Sequence, residues 1–166
     1  CLVGSEMCIR DRNRDDYKGK LFVTAGLGGM SGAQPKAGNI AGVISVTAEI
    51  NPKAAKTRHD QGWVDEVISD IGLLCERVKL AKSKREVVSI AYLGNIVDVW
   101  EKFSEENIYI DLGSDQTSLH NPWAGGYYPV GLTFEESNEM MSKNPELFKK
   151  KVKESLLRHS EAIKVN

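Results

Sequence analysis

Short apolar runs alternate along this chain with stretches whose apolar residues recur every three or four positions. Residues 20–25, 43–48, 87–93 and 108–112 are runs of the first kind, rich in β-branched side chains. Such near-continuous hydrophobicity suits strands buried on both faces. Between them lie helical patterns. Residues 31–41 form one, and Asn51 followed by Pro52 reads as an N-cap and first helical position for a second, running to about His59 and broken by Gly62. Val64, Val67, Ile68, Ile71, Leu74, Val78 and Ala81 recur at helical spacing, predicting one longer amphipathic helix that ends near residues 82–85. A further helix carries Ile96, Val99, Trp100 and Phe103. Thr133 with Glu136 forms a capping box for a helix through Met141, and Asn144-Pro145 starts a last one with the stripe Phe148, Val152, Leu156 and Ile163. Strands alternating with helices at this spacing predict an α/β fold, a four-stranded parallel sheet with right-handed crossovers. So small a sheet, ending on a helix, reads as a piece of something larger.

The connection after the first strand adds chemistry. The string TAGLGGMSGAQ (residues 24–34) places Gly26, Gly28 and Gly29 between a strand and a helix, and the second strand then closes on Glu49. That order is what a dinucleotide site requires: glycines for a tight turn and close backbone approach, a helix N-terminus toward a pyrophosphate, and a carboxylate about 20 residues on for a ribose. A carboxylate there repels a 2′-phosphate, which favours NAD over NADP. Ser31 stands at the third glycine position of the GxGxxG pattern, and close backbone packing alone also produces glycine turns.

Composition narrows the classes. Lys and Arg number 22 against 23 Asp and Glu, for a net charge of −1. Charge therefore gives no reason to expect nucleic acid or an anionic membrane as partner. No apolar run approaches the roughly 20 residues of a bilayer span. Cys1, Cys8 and Cys75 show neither metal-ligand spacing nor a disulfide pattern, and a reducing cytoplasm is the expected setting. Residues 1–17 fit poorly with the rest of the chain and read as a non-native or disordered leader, leaving residues 18–166 as the domain.

In parallel sheets, ligands bind beyond the carboxyl ends of the strands. Four segments converge there: the glycine turn, Glu49, Gly94-Asn95, and the polar stretch after the fourth strand with Gln116, Thr117, Ser118, Leu119 and His120. Asn95 suits either a ribose or nicotinamide contact or a helix N-cap. Gln116, Thr117 and Ser118 suit a carboxamide or phosphate, or simply a self-capping turn. Trp123, Tyr127 and Tyr128 beside Gly125-Gly126 suit stacking on a planar ring, or packing over the sheet edge. His120, in the long loop, is a better site candidate than His59 or His159, which sit on helices among charges and read as solvated. Cys75 lies in an amphipathic segment and reads as core. No catalytic constellation is visible.

TAGLGGMSGAQ (24–34), DQTSLHNP (115–122) and GGYYP (125–129) together resemble urocanase, the resemblance running from about Lys18 to the end. It implies the Rossmann-like, three-layer αβα NAD-binding domain of a cytoplasmic homodimer of histidine breakdown. That enzyme adds water to urocanate to give imidazolone propionate, with tightly held NAD+ as electrophile. It also implies cofactor contacts at Gly29, Met30 and Ser31 on the pyrophosphate, Glu49 on the ribose, Asn95 and Ile96 after the third strand, Gln116, Thr117, Ser118, Leu119 and His120 in the loop, and the pair Tyr127 and Tyr128. The family's catalytic cysteine, most of the urocanate pocket and the partner core domain match nothing here, so the chain alone is expected to be inactive. An arginine of bacterial members falls at Ala54, with Lys53 and Arg58 the nearby cations. On the glycine turn and Glu49 alone, an NAD-dependent dehydrogenase domain or a non-catalytic nucleotide-binding module remain open.

Overall fold

The computed structural model describes residues 14–29, 31–114 and 121–165. Five parallel strands, β1 (Leu21–Ala25), β2 (Ile44–Glu49), β3 (Glu66–Ile68), β4 (Val88–Leu93) and β5 (Leu112–Ser114), stand in the order β3-β4-β2-β1-β5. The helices are α1 (Gln34–Ala41), α2 (Pro52–Asp60), α3 (Ile71–Lys84), α4 (Ile96–Glu105), α5 (Phe134–Lys143) and α6 (Pro145–Val165). From β1 to β2 to β3 the chain steps one way across the sheet, and from β3 to β4 to β5 it steps back. Right-handed crossovers then put α1 and α2 on one face and α3 and α4 on the other. Packing agrees. Leu74 and Val78 of α3 and Val97 and Phe103 of α4 share a core with Val23, Val46 and Ile90, while Ala55 of α2 packs with Ala91 on the opposite face. Helix α6 packs on α4 and adds Phe148 and Val152 to the larger core. The result is the expected three-layer αβα, Rossmann-like architecture.

The two sheet faces differ in chemistry. Register pairs Val23 with Val46 and Val46 with Ile90 on the α3/α4 side, and Thr24 with Thr47 and Ser45 with Ser89 on the other. All of these side chains are buried. The small hydroxyl face lets α1 sit close: a Cβ on Gly38 would stand 2.9 Å from the Ser45 Cβ. Hydrogen bonds replace some of the missing apolar contact, with Thr24 Oγ1 donating to Gln34 Oε1 at 2.6 Å and Asn39 Nδ2 to Ser89 Oγ at 3.1 Å. Asp65 joins this group: burial alone would raise its pKa, but bonds from Ser89 and Asn39 hold it below the ordinary carboxylate value.

Several expectations need correction. The stretch from Val64 to Ala81 is not one helix. Val64 packs under α2, residues 66–68 form the edge strand β3, and α3 begins only at Ile71, its N-cap Asp70 accepting from the Leu73 N–H at 2.8 Å. The sheet therefore has five strands rather than four. A three-residue strand is too short to show an alternation against helical spacing. Residues 108–112 are likewise not the strand. Ile108 and Ile110 are buried ahead of it, and the ladder with β1 starts at Leu112. Gly113 within β5 lies against the Trp100 ring, which a Cβ would overlap. Residues 14–17 form a 3-10 turn. His159 is 4% exposed, not solvated, while His59 is exposed. Of the last helix's predicted stripe, Phe148 and Val152 are core, Leu156 is partly buried and Ile163 is 47% exposed. Cys75 is buried as expected, and burial raises its thiol pKa.

Gly38→Leu should destabilise the chain by about 1–3 kcal/mol through overpacking against Ser45, read as a lower urea midpoint with unchanged m-value.

Candidate functional site

Adjacent strands β2 and β4 send their following helices to opposite faces: α2 leaves on the hydroxyl side, α4 on the apolar side. Their carboxyl ends cannot close over one another, and an open cleft of about 240 Å³ results. Its floor is the ends of β1 and β2, with Ala25 and Ala48. One wall is the glycine turn and Ser31, the other is Gly94-Asn95-Ile96, and Gly125 to Tyr128 form the rim. Three of the converging segments expected from sequence thus meet at one place.

The glycine turn extends the sheet before leaving it. Gly26, at φ 91°, donates its N–H to the Ala48 carbonyl at 2.8 Å, and a Cβ there would meet the Ser31 Oγ at 3.0 Å. Gly28 and Gly29 are exposed, and a Cβ on either would meet nothing within 4 Å. Their backbone N–H groups make no hydrogen bond among the described residues. Ser31 is 1% exposed and opens the first turn of the helical segment that continues as α1. No side chain caps α1, which continues directly from the 3-10 turn Ser31–Ala33.

Glu49 lines the cleft and is the only residue with a formal charge among its described lining. Its Oε2 accepts the Leu27 N–H at 2.6 Å and its Oε1 the Asn51 N–H at 2.9 Å. One carboxylate therefore ties the glycine turn of β1 to the N-cap of α2. Each oxygen keeps a further acceptor lone pair for a ligand hydroxyl.

Asn95 is the N-cap of α4, its Oδ1 accepting from the Val97 N–H at 3.0 Å. Its Nδ2 donates to the Tyr128 carbonyl at 2.8 Å, stapling the aromatic rim to the sheet edge. Ile96 is 6% exposed on the same wall. The two tyrosines differ. Tyr127 is 2% exposed, its hydroxyl 3.3 Å from His159 Nδ1, with the Trp100 ring tilted against the same imidazole at 6.2 Å. Tyr128 packs on Phe134 at 5.4 Å, its hydroxyl donating to Asn138 Oδ1 at 3.4 Å. Burial, and then the Glu49 carboxylate, raise its phenol pKa, so it stays a neutral donor. Trp123 is 40% exposed and does not line the cleft. Met30, Gln116, Thr117, Ser118, Leu119 and His120 lie outside the described residues.

Sequence reasoning did not place Arg58, which reaches from α2 to the back of the turn. Its Nε donates to the Leu27 carbonyl at 3.0 Å and its Nη2 to the Gly28 carbonyl at 2.7 Å. The guanidinium lies 4.8 Å from the Trp63 ring centre. The sequence signal was weak: a cation near the position of the family's arginine, without any indication of which way it points. Among the described residues no cluster of His, Cys, Asp or Glu is arranged to hold a metal, and no helix is long and apolar enough to cross a membrane.

The sequence model of the urocanase Rossmann-like domain matches residues 5–166. The chain is 56% identical over 150 residues to a probable urocanate hydratase of Caenorhabditis elegans, covering 90% of this chain and 22% of that protein. It is 57% identical over 146 residues to a probable urocanate hydratase of Dictyostelium discoideum, with 87% and 22% covered. Against the urocanate hydratase of Mus musculus it is 51% identical over 154 residues, with 90% and 23% covered. The chain thus spans about 22% of the length of these relatives.

Burial behind the aromatic rim lowers the His159 pKa from its ordinary 6.5. The unfolded chain therefore binds a proton that the folded chain refuses as pH falls below about 6.5, and stability drops in that window. His159→Phe should flatten this acid-side loss, as measured by denaturant unfolding at about pH 7 and about pH 5. A pH profile identical to wild type would show that His159 does not contribute.

Proposed function

The chain belongs to the urocanase Rossmann-like domain family, and on that premise we propose that its carboxyl-edge cleft binds NAD+ for a urocanate hydratase. The observation that carries the reading is the meeting, at one cleft, of an oriented carboxylate and a glycine turn whose Gly28 and Gly29 N–H groups have no hydrogen-bond partner among the described residues. The fit to a dinucleotide is local and specific. Gly28 and Gly29 leave open the space a Cβ would fill, so a pyrophosphate can reach their N–H groups and the helix end beyond. Glu49, at the end of β2, accepts from ribose hydroxyls and disfavours a 2′-phosphate. Asn95, Ile96, Tyr127 and Tyr128 form the wall toward the nicotinamide half. Ser31 closes the turn behind the phosphates.

When bound, the nicotinamide supplies an electrophilic carbon for activating the imidazole of urocanate toward hydration. The chain's own residues bind and orient. Glu49 and the turn hold the adenosine diphosphate half, and Tyr128 and Asn95 keep the rim in place over the other half. Met30, Gln116, Thr117, Ser118, Leu119 and His120 complete the proposed cofactor contacts. On this reading the described cleft residues bind and orient the cofactor rather than move the water proton, and turnover needs the core domain of the full-length enzyme. The same reading makes the full-length enzyme a cytoplasmic homodimer whose core domain supplies the urocanate pocket.

Calorimetry with NAD+ and ADP-ribose, together with a urocanate absorbance assay, tests this. Binding of NAD+ without turnover is expected, and efficient turnover by this chain alone would overturn its proposed incompleteness. Glu49→Ala should weaken NAD+ binding by about 1–3 kcal/mol, the scale of a hydrogen bond to a charged group. Gly28→Val, whose side chain meets no protein atom at Cβ, should keep the unfolding midpoint and lose NAD+ binding. Retained affinity in that variant would remove the turn from the site.

A further inference from the structure

We propose that Arg58 is a positioning residue that sets the phosphate-binding direction of the glycine turn from behind. The inference rests on the NAD+ reading and deepens it. Across a planar trans peptide, the carbonyl oxygen and the following N–H point in opposite directions. Arg58 Nε holds the Leu27 carbonyl at 3.0 Å and Nη2 holds the Gly28 carbonyl at 2.7 Å. The N–H groups opposite those two carbonyls belong to Gly28 and Gly29, and neither has a hydrogen-bond partner among the described residues. One guanidinium therefore aims both donors at the ligand.

The anchor is itself held on several sides. Its Nη1 donates to Gln61 Oε1 at 2.9 Å, and the Trp63 ring centre lies 4.8 Å from its Cζ. Its inner face rests on Gly32, where a Cβ would stand 2.6 Å from the Arg58 Cζ. The Gly28 carbonyl also accepts the Gly32 N–H at 3.0 Å, so turn and helix start share the same lock. Two successive glycines have little intrinsic preference for either peptide orientation. Without the fork, the peptides between residues 27 and 29 can rotate, and the donors must be ordered at the time of binding. A lysine carries the charge but cannot hold two carbonyls in a fixed plane.

The test uses this chain with Arg58→Gln, Arg58→Lys and, as an independent perturbation, Gly32→Ala, which fills the guanidinium's seat. Affinities for NAD+, ADP-ribose and adenosine are measured by calorimetry, and the Gly28 and Gly29 amides are followed by 15N NMR in ligand-free chain. Arg58→Gln is expected to weaken NAD+ and ADP-ribose binding about tenfold, equivalent to about 1.4 kcal/mol, and to leave adenosine unchanged. Arg58→Lys and Gly32→Ala should follow Arg58→Gln, with the two amide signals displaced and the rest of the spectrum in place. An Arg58→Lys variant equal to wild type, an equal loss for adenosine, or unmoved glycine amides would overturn the proposal. Wild-type chain that fails to bind NAD+ while the amides still respond to Arg58→Gln would refute the cofactor reading and leave the anchoring intact.

Discussion

Two neighbouring strands whose helices depart to opposite faces leave a gap that backbone cannot fill, and the rest of this molecule is arranged around that constraint. Between β2 and β4 the gap opens at the carboxyl ends, where α2 and α4 also begin. Their N-caps are Asn51 and Asn95. Both are tied to cleft residues, Asn51 through Glu49 and Asn95 through Tyr128. Asn95 is itself part of the cleft wall, and Asn51 is hydrogen-bonded to the cleft carboxylate, so ordering the helix starts also orders the cleft.

A parallel sheet buried on both faces usually presents large apolar side chains on each. Here one face is built from Thr24, Ser45, Thr47 and Ser89 instead. That choice brings α1 close to the sheet at Gly38, soon after the glycine turn. The close approach brings the start of α1, with the positive end of its dipole, to the same edge as the glycine turn. The cost is visible in the Ser45 and Thr47 hydroxyls, which find no partner among the described residues. The opposite face supplies the conventional core, into which Phe148 and Val152 of α6 pack; the same helix backs the rim through His159.

Local chemistry was readable wherever a short spacing implies a short-range contact. The Asn51-Pro52 start, the Thr133-Glu136 capping box and the helix break ahead of Gly62 all appear as the sequence implies, because each involves partners within a turn of one another. Glu49 and the glycine turn could be placed together at one sheet edge because a strand–turn–helix–strand unit carries its own spacing. Tyr127 and Asn95 were placed at the correct edge, though their structural duties, packing on His159 and stapling the rim, were not distinguishable from ligand contact. The edge strand β3 and the buried lead of Ile108 and Ile110 were misread, since three residues or a change of ladder leave no period to detect.

Binary pattern and punctuation were thus sufficient for the alternation of strands and helices, the parallel sheet and the identity of the turn, because hydrophobic burial and capping act between residues close in the chain. Strand order, and with it the cleft between β2 and β4, arises from contacts between segments far apart in sequence. The burial of His159 and the reach of Arg58 to the carbonyls of residues 27 and 28, some 30 positions away, are of the same kind. Those depend on how helices stack on a twisted sheet, and a one-dimensional period carries no information about which distant residue a long side chain will meet.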